Sequence, residues 1–343
     1  MGIERTQWGN CLQPEVLPDL RGKGPVLQRS LKRKKHFCCD KSKRPPVAIA
    51  VIPYFSIMKL YYLLISASLL LTLQANAQQA KTDTVFFDDF NSGSLDRSKW
   101  NVEITGHTVN NEQQAYVDSA ATIYMVNGND AEGALKGALV LKALYKPGFT
   151  SKEQKKYDFI SGRINTRAKM EFTYGTASAR MKMTAGAGLW PAFWALGNGK
   201  WPDCGEIDVM ETIGDSSWTS HALHGPNYFG NTPLAYRAFF PAGTDVTQWH
   251  IYSVDWTPTT LIFKIDGKIT YTVTKAMVER YGRWAYDNKK FIILNFALGG
   301  GYPAGYNKVT KPYYGISEST VNKIKAGEAK IFVDWVLVTR NKE

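Results

Sequence analysis

The stretch Trp201-Pro-Asp203-Cys-Gly205-Glu206-Ile-Asp208-Val-Met-Glu211-Thr-Ile-Gly214 places three carboxylates within one short, otherwise apolar run. On a regular strand side chains alternate faces, so Glu206 and Asp208 share one face while Ile207 and Val209 take the other. Glu211 is one residue out of phase. A bulge at Val209 or Met210 inserts one extra residue and returns Glu211 to the face of Glu206 and Asp208. Three carboxylates so arranged cannot all ionise comfortably, because each raises the proton affinity of the next, and one member is expected to hold its proton near neutral pH. One carboxylate as nucleophile beside one carboxylic acid as proton donor is the pair that glycoside hydrolysis needs. A solvated acidic edge strand, or three oxygens gathered for a calcium ion, are the alternatives that spacing leaves open.

The elements that must hold this cluster read as strands. Just upstream, Gly188-Leu-Trp190-Pro-Ala-Phe-Trp194-Ala-Leu-Gly puts Trp190 and Trp194 on one strand face, where they offer flat apolar surface to sugar rings or simply join a core. Pro191 inside the run predicts an irregular or interrupted strand. Segments 84–90, 138–143, 166–174, 177–184, 249–256, 260–265, 268–273, 291–297 and 331–339 are rich in β-branched and aromatic residues and are separated by turn residues. Asp266-Gly267 between two alternating runs is a strong hairpin signal. With no Gly-rich nucleotide loop, no βαβ alternation and no internal repeat, the mature chain is expected to be all-β, a single antiparallel β-sandwich.

Gly-Leu-Trp-Pro-Ala-Phe-Trp followed by Gly-Glu-Ile-Asp-Val-Met-Glu resembles glycoside hydrolase family 16, in its bacterial laminarinase-like branch. Asp88-Asp-Phe-Asn, Asn110-Asn-Glu112, Tyr174-Gly175 with Ala179-Arg180, Leu294-Asn295-Phe-Ala-Leu-Gly-Gly300 and Val333-Asp334-Trp-Val match further landmarks in the right order. The Glu-x-Asp-x-x-Glu form is similar to the laminarinase branch rather than to the branch with the shorter Glu-x-Asp-x-Glu. The resemblance implies a jelly-roll, concanavalin A-like sandwich with a concave substrate cleft and a retaining double displacement. Glu206 is then the nucleophile, Glu211 the acid/base, and Asp208 the group that tunes the nucleophile. It also implies that His224 lies near the acid/base, where a structural histidine is the alternative, that Asn111 and Asn295 bond sugar hydroxyls, that Arg180 either does the same or is a member of a structural ion pair, and that Trp201 stacks on a sugar. Asp334, with the backbone near Asp89 and Gly137, resembles the family's structural calcium site; no cofactor is expected for catalysis. Ser178, where the family usually has a glutamate, and Asp88-Asp89, in place of a commoner Asp-Glu pair, are departures. The implied substrate is β-1,3-glucan or mixed-linkage β-1,3-1,4-glucan, cut inside the chain. Agar, carrageenan, porphyran or xyloglucan, or a non-catalytic glycan-binding role, are the alternatives within this fold.

Charge adds little to this. The net charge of +12 is concentrated at the front, where residues 1–57 carry eleven Lys and Arg against Glu4, Glu15, Asp19 and Asp40. No basic stripe interleaved with aromatics follows, so no nucleic-acid partner is expected. From Met58 the chain runs Met-Lys-Leu-Tyr-Tyr-Leu-Leu-Ile and on to Ala75-Asn-Ala77-Gln78, a positive start, an apolar core and a small-x-small cleavage site. That core is shorter than the ~20 residues of a membrane span. The expected organisation is a doubtful or disordered basic leader over 1–57, a signal peptide over 58–77 cleaved near Ala77/Gln78, and one catalytic domain over 78–343. The product is expected to be a secreted or periplasmic monomer with no membrane span. Beyond the leader Cys204 is the single cysteine, expected as a small, partly buried residue.

Overall fold

A computed structural model describes residues 82–341. The leader over 1–57 and the signal segment over 58–77 lie outside the described residues.

Two antiparallel sheets dominate. The eight-stranded one runs β16 (Lys268–Thr274), β15 (Thr260–Ile265), β14 (His250–Trp256), β9 (Gly175–Met183), β18 (Lys330–Asn341), β5 (Gly137–Lys142) and β4 (Ile123–Asn127), with β1 (Thr82–Asp88) also on β18. The seven-stranded one runs β13 (Ala235–Phe239), β12 (Trp218–His224), β11 (Glu206–Glu211), β10 (Leu189–Gly197), β17 (Lys290–Leu298), β8 (Arg163–Asn165) and β2 (Asn101–Val102). In a small third sheet β3 (Gln114–Tyr116) is parallel to β7 (Lys156–Ser161), which pairs with β6 (Leu144–Thr150). Helices are short: α1 (Lys275–Val278), α2 (Gly301–Asn307) and α3 (Glu318–Lys325).

Alternation builds the core between the two large sheets. Ala177, Ala179, Met181 and Met183 on β9 are buried with Phe193 and Ala195 on β10, Ile207 and Val209 on β11, and Ile292, Leu294 and Phe296 on β17, all in one apolar cluster. The period of two that selects the residues on β10, β11 and β17 sends their neighbours to the outer face of the seven-stranded sheet. The expected all-β sandwich is therefore what the chain forms. The Asp266-Gly267 hairpin joins β15 to β16 with Ile265 opposite Lys268, and both turn residues have positive φ, 51° and 76°.

Two local expectations are corrected. Segment 166–174 is a turn and an isolated bridge, not a strand. The Thr166 hydroxyl donates to the Met170 carbonyl and accepts from the Ile292 amide, so a side chain takes the place of a ladder bond. Strand β10, conversely, is continuous through Pro191, which stands opposite Phe296. The Pro191 carbonyl accepts from the Thr212 amide just beyond the end of β11, so the ring gives up only the reciprocal bond at the place where that ladder ends.

Candidate active site

Strand β11 carries the three carboxylates, and its entry and its middle are both fixed from outside the strand. Gly205 precedes it at φ +72°, where a Cβ would meet the Ala285 carbonyl at 2.2 Å, so only glycine fits. The ammonium of Lys290, fully buried, donates to the carbonyls of Cys204 at 2.9 Å, Gly205 at 3.2 Å and Ala285 at 3.0 Å. This ties the turn before Glu206 to strand β17. Burial pushes the Lys290 ammonium down to about 8.

In the middle, Ala192 faces Glu211 and Phe193 faces Met210, but Trp194 faces Asp208, leaving Val209 without an opposite number. That is the expected bulge. The ladder to β12 shifts at the same place. The Val209 carbonyl is met by His221 Nδ1 at 2.7 Å, and His221 Nε2 lies 2.8 Å from the Thr270 hydroxyl. Burial lowers the His221 imidazole to about 4, so the ring is neutral and donates through Nδ1.

The bulge brings Glu206, Asp208 and Glu211 to the outer face of the sheet. Trp201 Nε1 donates to Glu206 Oε2 at 2.8 Å, and Trp190 Nε1 donates to Glu211 Oε1 at 2.8 Å. His224 Nε2 stands 3.2 Å from Asp208 Oδ2 and 3.8 Å from Glu206 Oε1. Burial pushes the carboxyl of Glu206 up to about 8, with the charge of Asp208 as the second cause. Asp208 and Glu211 are raised too, by burial first, and Glu211 also by the charge of Asp208. Proton sharing of this kind supplies an acid and a base within one cluster.

Opposed residues extend the site along one row across the sheet. Arg163 faces Asn295, Asn295 faces Ala192, Ala192 faces Glu211, Glu211 faces Ser220, and Ser220 faces Arg237. Directly opposed residues share a face, so Glu211 has two strands of surface on one side and three on the other, each strand advancing about 4.8 Å.

The remaining expected residues divide. Trp194 lies on this face and donates to Asn295 Oδ1 at 2.7 Å. The amide of Asn295 in turn donates to the Tyr116 hydroxyl at 3.1 Å, so its polar atoms are engaged within the protein. Trp201 is 43% exposed and meets Phe229 edge-on at 5.3 Å, forming an aromatic step beside Glu206. Trp190 is buried instead, against Tyr302, Ile213 and Trp218. Asn111 is exposed in the loop whose neighbour Asn110 accepts from the Gly301 amide, beside the end of β17. Arg180 is not in the cluster. It sits on β9 in the other sheet, paired with Asp334 and stacked on Trp249. Asp334 also accepts from the Leu135 amide, and Asp89 pairs with Lys136 at 2.9 Å. With a cationic side chain on each carboxylate, Asp89, Gly137 and Asp334 as arranged do not fit a calcium ion. Cys204 is a free, buried thiol raised by that burial, as expected of a packing residue.

A sandwich with an acidic trio on its outer face defines the glycoside-hydrolase class of arrangement, and comparison with known proteins agrees. The profile of glycosyl hydrolases family 16 matches residues 98–312, and the chain belongs to that family. Over 254 residues it is 32% identical to the glucan endo-1,3-beta-glucosidase A1 of Niallia circulans, covering 66% of this chain and 35% of that protein. It is 28% identical to the beta-glucanase of Rhodothermus marinus over 64% of this chain and 77% of that one. The endo-beta-1,3-glucanase structure from Pyrococcus furiosus superposes with a TM-score of 0.66 at 28% identity, covering 78% of this chain and 97% of that one. The chain thus spans about a third of the Niallia protein and about three quarters of the Rhodothermus one.

Proposed function

We propose that this chain is a retaining endo-glycosidase that hydrolyses β-1,3-glucan or mixed-linkage β-1,3-1,4-glucan. The observation that carries the mechanism is the bulge at Val209, which turns Glu206, Asp208 and Glu211 to one face and leaves each glutamate with one oxygen held by a tryptophan. Trp201 holds Oε2 of Glu206, so Oε1 is the free oxygen that attacks the anomeric carbon. As that bond forms, the glycosidic C–O bond breaks and Glu211 delivers its proton to the departing oxygen. Glu211, now a carboxylate, takes a proton from water; the water oxygen attacks the anomeric carbon and Glu206 leaves with its electron pair. Carboxyl groups and water are the only reagents. Burial first, and then Asp208 beside Glu206, keep the proton affinities of the two glutamates high, while the Trp201 N–H favours the ionised form of Glu206.

Cleavage inside a chain is supported by the cross-strand row, which gives the acid/base protein surface on both sides. The glucan reading is supported by the Niallia, Rhodothermus and Pyrococcus relatives. Among the described residues no helix is long and apolar enough to cross a membrane. The proposal includes export, supported by the signal-like pattern over 58–77. The test is product analysis after incubation with laminarin, mixed-linkage glucan, agarose and carrageenan in parallel. Short oligosaccharides from laminarin are expected. Release from a galactan alone would overturn the substrate, and no release from any would overturn the activity.

A further inference from the structure

We propose that Glu206, Asp208 and His224 together form a binding site for a divalent transition ion of the zinc type, whose occupation stops turnover. One atom from each residue, an imidazole nitrogen and two carboxylate oxygens, lies within 4.8 Å of the others. In a tetrahedral zinc site bonds of 2.0–2.2 Å place donor atoms about 3.4 Å apart. His224 Nε2 is 3.2 Å from Asp208 Oδ2 and 3.8 Å from Glu206 Oε1, so small side-chain rotations make a three-point chelate.

Orientation and hydrogen bonding point the same way. Asp208 is 3% exposed, yet its Oδ2 accepts no hydrogen bond, and it is the oxygen turned to His224. An unsatisfied buried carboxylate oxygen is unfavourable, and a cation bound there supplies the missing partner. Glu206 is already divided between two roles: Trp201 occupies Oε2 and leaves Oε1 facing the imidazole. Glu206 and His224 are partly exposed, so the fourth position opens to water from the substrate face. An imidazole with two carboxylates suits zinc, copper or nickel, whereas calcium and magnesium demand more oxygens than three residues give. Since the ion would take the Oε1 lone pair that attacks the anomeric carbon, binding and turnover exclude each other. This last step rests on the proposed mechanism; the binding does not.

Calorimetric titration of the full chain with zinc chloride tests the proposal, after Cys11, Cys38 and Cys39 are blocked with iodoacetamide to remove their own metal affinity. One saturable site is expected in the unmodified sequence, weakened at least tenfold in His224→Ala and in Asp208→Asn, with no heat from calcium at the same concentration. A visible absorption band on adding cobalt(II), lost in the same two variants, gives a second readout. Zinc binding that both variants retain in full, or the absence of any saturable site, overturns the proposal. An unmodified chain that binds zinc but cleaves no glycan would instead overturn the hydrolase reading and leave the site standing.

Discussion

The Val209 carbonyl, freed by the bulge in β11, is capped at 2.7 Å by Nδ1 of His221 from the neighbouring strand. His221 is fully buried, stacks on Phe263 at 4.9 Å, and has no route to the substrate. Its role is to hold the extra residue that sets the phase of Glu211 against Glu206. Replacing it with alanine strands a buried carbonyl, which costs about 1–3 kcal/mol, and opens a cavity in which the bulge can relax. We expect His221→Ala to lower kcat at least tenfold with a much smaller change in KM, and His221→Asn, which keeps an N–H donor, to recover part of the loss. Steady-state kinetics on soluble laminarin check this; unchanged kcat in the alanine variant would show that the ladder alone fixes the bulge.

Lys290 anchors the other end of the same strand. Methionine at this position keeps most of the volume and removes the donor shared by the carbonyls of Cys204, Gly205 and Ala285. Leaving several buried acceptors unpaired is expected to destabilise the fold by a few kcal/mol, on the order of 1–3 for each group that water cannot reach. Thermal unfolding of Lys290→Met should show a lower Tm than the unmodified chain, and an equal or higher Tm would refute the anchoring role.

The pH profile follows from what raises the carboxyls. Glu206 must be ionised to attack, and its proton affinity is raised by burial and then by Asp208, up to about 8. The rate is therefore expected to fall as pH drops through about 8, well above the ordinary carboxylate range. Glu211 must be protonated to act as acid, and Asp208 raises it as well. Removing the Asp208 charge lowers both affinities, so Asp208→Asn should shift both limbs of kcat/KM against pH to the acid side. Limbs that stay in place would mean that Asp208 does not tune the pair.

Glu206, Asp208 and Glu211, and the bulge that unites them, were legible because alternation on a strand is strict and one out-of-phase glutamate has few remedies. The sandwich and the Asp266-Gly267 hairpin were legible for the same local reason. What escaped was long-range. His221 and Lys290 act on carbonyls 12 and 85–86 residues away, and nothing local distinguishes them from an ordinary strand histidine or a surface lysine. The two readings of Arg180, sugar binding or a structural ion pair, could not be separated because a strand shows which residues alternate but not which sheet the strand joins; β9 belongs to the sheet opposite the carboxylates, and Arg180 pairs with Asp334. Trp190 and Trp194 were correctly placed on one face, yet each spends its indole N–H on a protein partner, Glu211 or Asn295, which no spacing reveals.

The separate roles of the two glutamates are the centre of this account, and azide rescue tests them most directly. Glu206→Ala, given an aryl β-laminaribioside with a good leaving group and sodium azide, should form the glycosyl azide of inverted, α configuration, because azide enters the space left by the nucleophile. Formation of the β-azide by this variant, or unimpaired hydrolysis without azide, would contradict the assignment of Glu206 as nucleophile.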